Sequence, residues 1–184
     1  MNIISEPFVE AARYLTQRTR QSDRVSFQTG SALELPFEKG RFDAVLLQHV
    51  AMNIADRARL YREIRRVLKP GGRFATYDVV AKGGEPHYPV PWARTQTTSF
   101  LLTTEATREA IEQAGLRAIV WQDDSETAKA WFAAVRASGP PPSPNLGVVM
   151  GPDFAQLAAN LARNLMEDRI GILTAVFEAA PINT

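Results

Sequence analysis

Residues 30–80 read GSALELPFEKGRFDAVLLQHVAMNIADRARLYREIRRVLKPGGRFATYDVV, and the punctuation of this stretch decides the fold. Phe42 to Leu47 is a short apolar run of strand formers that follows a Gly-Arg turn. Asp56 is placed to cap a helix whose Leu60, Ile64, Val67 and Leu68 fall on one face at helical spacing. Pro70-Gly71-Gly72 stops that helix, and Phe74 to Val80 is a second apolar strand. Two buried strands joined by a crossover helix make a βαβ unit, parallel and right-handed. Ligands of such sheets sit beyond the carboxyl ends of the strands. Gln48, His49 and Asn53 follow the first strand, so chemistry is expected in that loop.

Working outward toward the amino terminus, Val25 to Thr29 reads as a strand, and Leu35-Pro36-Phe37 is an apolar plug in the loop after it. Ser5, Glu6 and Pro7 suit the start of a helix with an apolar stripe at Phe8, Ala11, Ala12 and Leu15. Met1 to Ile4 reads as the end of a further strand. Toward the carboxyl terminus, residues 83–99 hold three prolines with His87, Tyr88 and Trp92, which precludes a regular helix. That segment is either a lid glued to the sheet edge or a wall facing substrate. Thr103 to Leu116 is a helix closed by Gly115, and Arg117 to Gln122 is a strand. Ser125 to Ser138 is a helix with Ala130, Trp131, Ala134 and Val135 facing inward. Gly139 to Pro144 is a stiff connector, Asp153 caps a long amphipathic helix, and Ile170 to Phe177 is a last strand. The alternation predicts one doubly wound α/β domain.

Bulk properties exclude several classes. With 21 basic and 20 acidic residues the net charge is +1, too small for a global field toward nucleic acid or an anionic membrane. Arg57, Arg59, Arg62, Arg65 and Arg66 cluster on one helix, which reads either as a nucleic-acid face or as an exposed helical face. The absence of cysteine excludes disulfides and thiol nucleophiles, and two histidines do not make a metal cluster. Neither a membrane span nor a leader segment is legible, so a cytoplasmic protein is expected.

The order GSALELPF, FDAVLLQHV, LKPGGRF resembles the class I S-adenosylmethionine-dependent methyltransferases, in the branch of small-molecule N- and O-methyltransferases of the ubiquinone- and glycine-methylating type. The resemblance runs from Glu6 to Pro181. It implies a Rossmann-like, mostly parallel sheet with an antiparallel carboxyl-terminal strand inserted beside its predecessor. It also implies S-adenosylmethionine as cofactor and a small-molecule acceptor. The adenine-side loop is Gly30-Ser31-Ala32 where the family commonly has Gly-Asp-Ala. The Ser31 hydroxyl can accept from the adenine amino group, and the amides of Ala32 and Leu33 can address the ring. Gln48 and His49 line the methionine and substrate side. His49 is either a general base for an amine or hydroxyl nucleophile or a hydrogen-bonded structural group. Asn53 is expected to contact substrate and Asp78 is a further polar candidate, while Tyr88 and Trp92 would form an aromatic wall for a small ammonium group.

One element of the family pattern is missing. The first glycine is Gly30, so no GxGxG turn precedes it, and the ribose-binding acid falls at about Ile3. The chain is therefore expected to be one amino-terminally truncated domain over residues 1–184, with weak cofactor binding and two neighbouring strands left without partners. Three accounts stand side by side: a fragment of a longer enzyme, a homo-oligomer in which a second copy pairs with the exposed strands, and a non-catalytic oligomerising or regulatory module.

Overall fold

The computed structural model describes residues 5–139 and 146–180. The expectations for Met1 to Ile4, for Ile3 as the ribose position and for the prolines from 140 to 144 lie outside the described residues. The elements run α1 (Glu6–Arg18), β1 (Phe42–Gln48), α2 (Arg57–Val67), β2 (Leu68–Ala81), α3 (Thr104–Gln113), β3 (Leu116–Asp123), α4 (Ser125–Ala137), α5 (Gly147–Met150), α6 (Phe154–Met166) and β4 (Ile170–Ala179). Single 3-10 turns at Ala51–Asn53 and Gln96–Thr98 lie in the loops after β1 and β2.

The sheet order is β1-β2-β4-β3. β1 is parallel to β2, as the α2 crossover requires, and β4 is antiparallel to both β2 and β3. The mixed sheet with its inserted antiparallel strand is the arrangement expected from the resemblance. Side chains alternate across β2 and sort the core into two layers. Phe74 and Val80 face α2 and α3, joining Leu60, Tyr61, Ile64 and Ile111. Tyr77 and Val79 face the other way, toward Leu161 and Leu165 of α6 and toward Ala128 and Phe132 of α4. Caps behave as their residue types dictate. Asp56 accepts from the Arg59 amide at 2.9 Å and Thr103 from the Ala106 amide at 3.2 Å. Asp153 holds the cap position of α6 but gives its side chain to Arg94 at 2.8 Å instead.

Four expectations are corrected. Val25 to Thr29 forms no strand. An extended segment becomes a strand only beside a ladder partner, and here the Phe27 carbonyl is taken by the Arg13 guanidinium at 2.9 Å and 3.2 Å. The second central strand begins at Leu68, not Phe74: Leu68 pairs with Phe42, the ladder resumes at Ala44 and Arg73, and Lys69 to Gly72 loops out between them. A Cβ at Gly72 would lie 2.9 Å from the Lys69 carbonyl, which explains glycine there. The stripe of α1 is exposed, with Phe8 64% and Leu15 60% accessible. Finally, α4 docks through Ala128 and Phe132 rather than through Ala130, Trp131, Ala134 and Val135. Its broad apolar face does not say which edge goes inward, and the buried Ser125 and the Lys129–Asp168 ion pair at 2.8 Å choose it.

The arginines of α2 hold the chain together. Arg66 donates to the carbonyls of Leu35 and Phe37 at 2.9 Å and 2.7 Å, and Glu63 accepts from the Leu35 amide at 2.8 Å, so the Leu35-Pro36-Phe37 plug is latched to the helix. Arg59 donates to the Leu33 carbonyl at 2.7 Å and Arg65 to that of Ala180 at 2.6 Å. No helix among the described residues is long and apolar enough to cross a membrane.

Candidate functional site

A cavity of about 840 Å³ opens at the carboxyl ends of the parallel strands. Its floor is the second face of the sheet, with Tyr77, Val79 and Ile172. One wall is α4, contributing Ala128, Trp131 and Phe132; the opposite wall is α6, contributing Phe154, Ala158, Leu161 and Leu165. The rim is the loop after β1, with His49, Met52 and Asn53, and the proline-rich segment, with Pro91 and Trp92. A volume of this size is that of a site for a drug-sized molecule.

The rim is built by a turn that the sequence only hints at. His49 follows the last residue of β1 with φ 52, a left-handed conformation uncommon for non-glycine residues though histidine is among those that adopt it. Its amide donates to the Tyr77 carbonyl at 2.9 Å, and its ring meets the Tyr77 ring edge-on at 4.9 Å between centroids. His49 thus sits exposed at the cavity's mouth, fixed to the floor from below. Asn53 stays close to its own turn, donating to the Val50 carbonyl at 3.3 Å.

Asp78 lies on the opposite face of β2, away from the cavity. Its carboxylate accepts from the Ala51 amide at 2.8 Å and the Val79 amide at 2.9 Å, so it anchors the 49–54 loop rather than addressing substrate. Burial pushes its carboxyl above the ordinary 3.8, against the pull of the two amides, Arg57 and His49. A raised acid binds its proton more tightly folded than unfolded. Its contribution to stability therefore declines as pH rises from 3.8 through the folded value. Asp78→Ala is expected to cost about 1–3 kcal/mol at neutral pH, because it strands the Ala51 amide. The variant should also lack that acid-range decline, and urea melts of both proteins across pH check the pair of results.

The proline-rich segment is both latch and wall. Asn164, fully buried on α6, accepts from the His87 amide at 2.7 Å and donates to the His87 carbonyl at 3.0 Å. Asn160 donates to the Pro89 carbonyl at 2.9 Å. The end so tied presents Pro91 and Trp92 to the cavity, and Trp92 is held by its indole donating to Ser99 Oγ at 3.0 Å. Tyr88 is half-buried and is not on the cavity lining.

The residues expected on the adenine side lie elsewhere, in a turn closed by a bridge from Ser31 to Glu34. Ser31 Oγ accepts from the Leu33 amide at 3.2 Å, while Ala32 and Leu33 pack on the core beneath α2. Gln48 is exposed at the end of β1 and, like the turn, is not on the cavity lining. The structure therefore brings His49, Asn53 and Trp92 together and keeps Ser31, Ala32, Leu33, Gln48 and Tyr88 apart from them. Sequence reading missed Met52, Tyr77, Asp124 and Thr127 and all of α6; only the alternation of β2, which puts Tyr77 on the face opposite Asp78, signalled any of them. Among the described residues no acidic or histidine cluster could hold a metal.

Residues 3–76 match the family model described as a methyltransferase domain. Over those residues the chain resembles a methyltransferase domain, and the sheet order with its inserted antiparallel strand agrees with that likeness. Over 80 residues the chain is 36% identical to the methyltransferase GfsG of Streptomyces halstedii, covering 44% of this chain and 29% of that one. Over 71 residues it is 41% identical to a demethylmenaquinone methyltransferase of Symbiobacterium thermophilum, covering 39% and 28%. The match thus spans under a third of these curated methyltransferases. In three dimensions the domain resembles the [4+2]-cyclase SpnF with a TM-score of 0.70 and 25% identity, over 96% of this chain and 65% of that one. It also resembles geranyl diphosphate C-methyltransferase from Streptomyces coelicolor, solved with Mg2+, geranyl diphosphate and S-adenosyl-L-homocysteine, with a TM-score of 0.76 and 15% identity over 96% and 62%.

Proposed function

We propose that this domain carries out S-adenosylmethionine-dependent methyl transfer to a nitrogen or oxygen nucleophile of a small molecule, with His49 as the general base. The observation that carries this reading is the place of His49: at the carboxyl end of β1, on the mouth of the cavity, with its ring braced on Tyr77. The donor set of the Ser31 turn fits one edge of an adenine. The Ser31 hydroxyl keeps a free lone pair, and the Ala32 amide is the donor left to the ring once Leu33 has given its own to Ser31. When bound, S-adenosylmethionine supplies a methyl group on a positively charged sulfur, so the reaction asks the protein for positioning and a dry pocket rather than covalent help. The apolar walls of α4 and α6 exclude water, and His49 takes the proton that the acceptor loses.

Because the described residues grip the cofactor only along its adenine edge, the 184-residue chain should bind it weakly. Calorimetry with S-adenosylmethionine is expected to give a Kd well above the micromolar range, and micromolar binding by a monomer would overturn this expectation. Mass spectrometry of an acceptor panel incubated with the chain and cofactor tests the transfer itself, by the gain of one methyl group. A second reading, suggested by the likeness to the [4+2]-cyclase SpnF, is a domain that holds an apolar molecule without methylating it. It is favoured by the contrast between a cavity walled on several sides and a cofactor contact confined to one turn; the same panel, giving binding but no methylated product, would select it.

A further inference from the structure

The polar groups His49, Tyr77 and Asp124 of the cavity lining sit at one end of it, tied together by a row of paired residues across the sheet, of which Gln48, Thr174 and Gln122 are themselves off the lining. Gln48 lies beside Tyr77, Tyr77 opposite Thr174, and Thr174 opposite Gln122. The His49 ring rests on Tyr77, and the Asp124 carboxylate accepts from the Thr174 hydroxyl and, at 2.5 Å, from the Gln122 amide. Two residues farther along β2 the floor is Val79 opposite Ile172, both buried. From there the walls are Phe132 of α4 and Leu161 and Leu165 of α6, with no charged group among them. A polar line at one end and an apolar chamber beyond it make an amphipathic site.

We propose that the acceptor is a bulky, largely apolar alcohol, its hydroxyl at the His49–Tyr77 line and its body along Val79, Ile172, Phe132 and Leu165. A small ammonium compound suits this chamber poorly. It would leave most of about 840 Å³ of apolar space to water. The carboxylate nearest the polar line, Asp124, already takes two protein donors.

The assignment rests on the methyl-transfer reading for what happens to the alcohol, but not for its binding. A binding test without cofactor therefore fails or succeeds independently of methylation. The full chain is titrated with 1-octanol, 1-decanol and 1-dodecanol, with choline as the small cation. The signal is intrinsic tryptophan fluorescence, since Trp92 and Trp131 both line the cavity. Saturable binding is expected to tighten by about tenfold for each two-carbon step, the increment for burying methylene groups. Ala158→Phe, which fills the chamber from α6, should abolish the saturable signal while a thermal melt confirms folding. Should that variant not fold, Thr127→Phe at the exposed edge of the lining takes its place. Choline binding more tightly than 1-dodecanol would overturn the proposal. So would the absence of saturable alcohol binding, which would mean that something other than such a molecule fills the chamber. A chain-length dependence that survives in the filled variant would place the alcohols elsewhere and overturn it too.

Discussion

His49→Gly is expected to lower methyl transfer by about 10²–10⁴-fold, the usual contribution of a positioned general base, with imidazole added to the buffer restoring part of the rate. Glycine is the informative substitution here. His49 has φ 52, a conformation glycine adopts without steric cost, so the turn after β1 should survive the change. Its main-chain amide still donates to the Tyr77 carbonyl, and the Asp78 anchor on Ala51 is untouched. What is lost is the imidazole and its contact with the Tyr77 ring. Free imidazole can enter the space vacated at an exposed site, and recovery with added imidazole separates a missing base from a damaged loop. A variant as fast as the parent chain would move the base elsewhere and sink the role given to His49.

Phe177→Ala should be the most damaging single change to stability, at about 3–5 kcal/mol, the range for truncating a buried phenylalanine. Phe177 is fully buried on β4, directly opposite Phe74 across the ladder. Its ring stacks on Phe74 with centroids 5.8 Å apart and meets Trp121 edge-on at 6.0 Å. The hole would open in the middle of the sheet, where neither β2 nor β3 can move inward without breaking its own pairing. Urea unfolding at equilibrium gives the loss; a shift equivalent to less than about 1 kcal/mol would mean that the sheet closes around the gap.

The elements legible in the amino-acid sequence are those with a strong period. Leu60, Ile64 and Val67 mark α2, the apolar runs mark β1, β2, β3 and β4, and Thr103 and Gly115 bracket α3. What stays hidden depends on partners that no local pattern encodes. Val25 to Thr29 has strand composition, but Arg13 holds the Phe27 carbonyl that a ladder would need. The face of α4 misleads because Trp131, the bulkiest residue there, lies 59% exposed on the cavity side while Phe132 packs inward. Of the site, His49 and Trp92 are legible from strand ends and unusual aromatics. Tyr77 is signalled only by the alternation of β2, and the α6 wall not at all, because that helix reaches the cavity from the far side and begins more than seventy residues later.

The placement of β4 sets the order in which the chain can be assembled. The last element in the sequence of described residues is interior in the sheet, and its Glu178 must find Arg73 across a separation of 105 residues. During synthesis β1 and β2 can pair as soon as α2 has formed, but β3 has no neighbour until residues 170–179 emerge. Closure of such distant pairings is slow, and until it happens the unpaired edges of β2 and β3 are open to other chains. Yield from expression should therefore depend on temperature and on the rate of translation more than equilibrium stability alone would suggest.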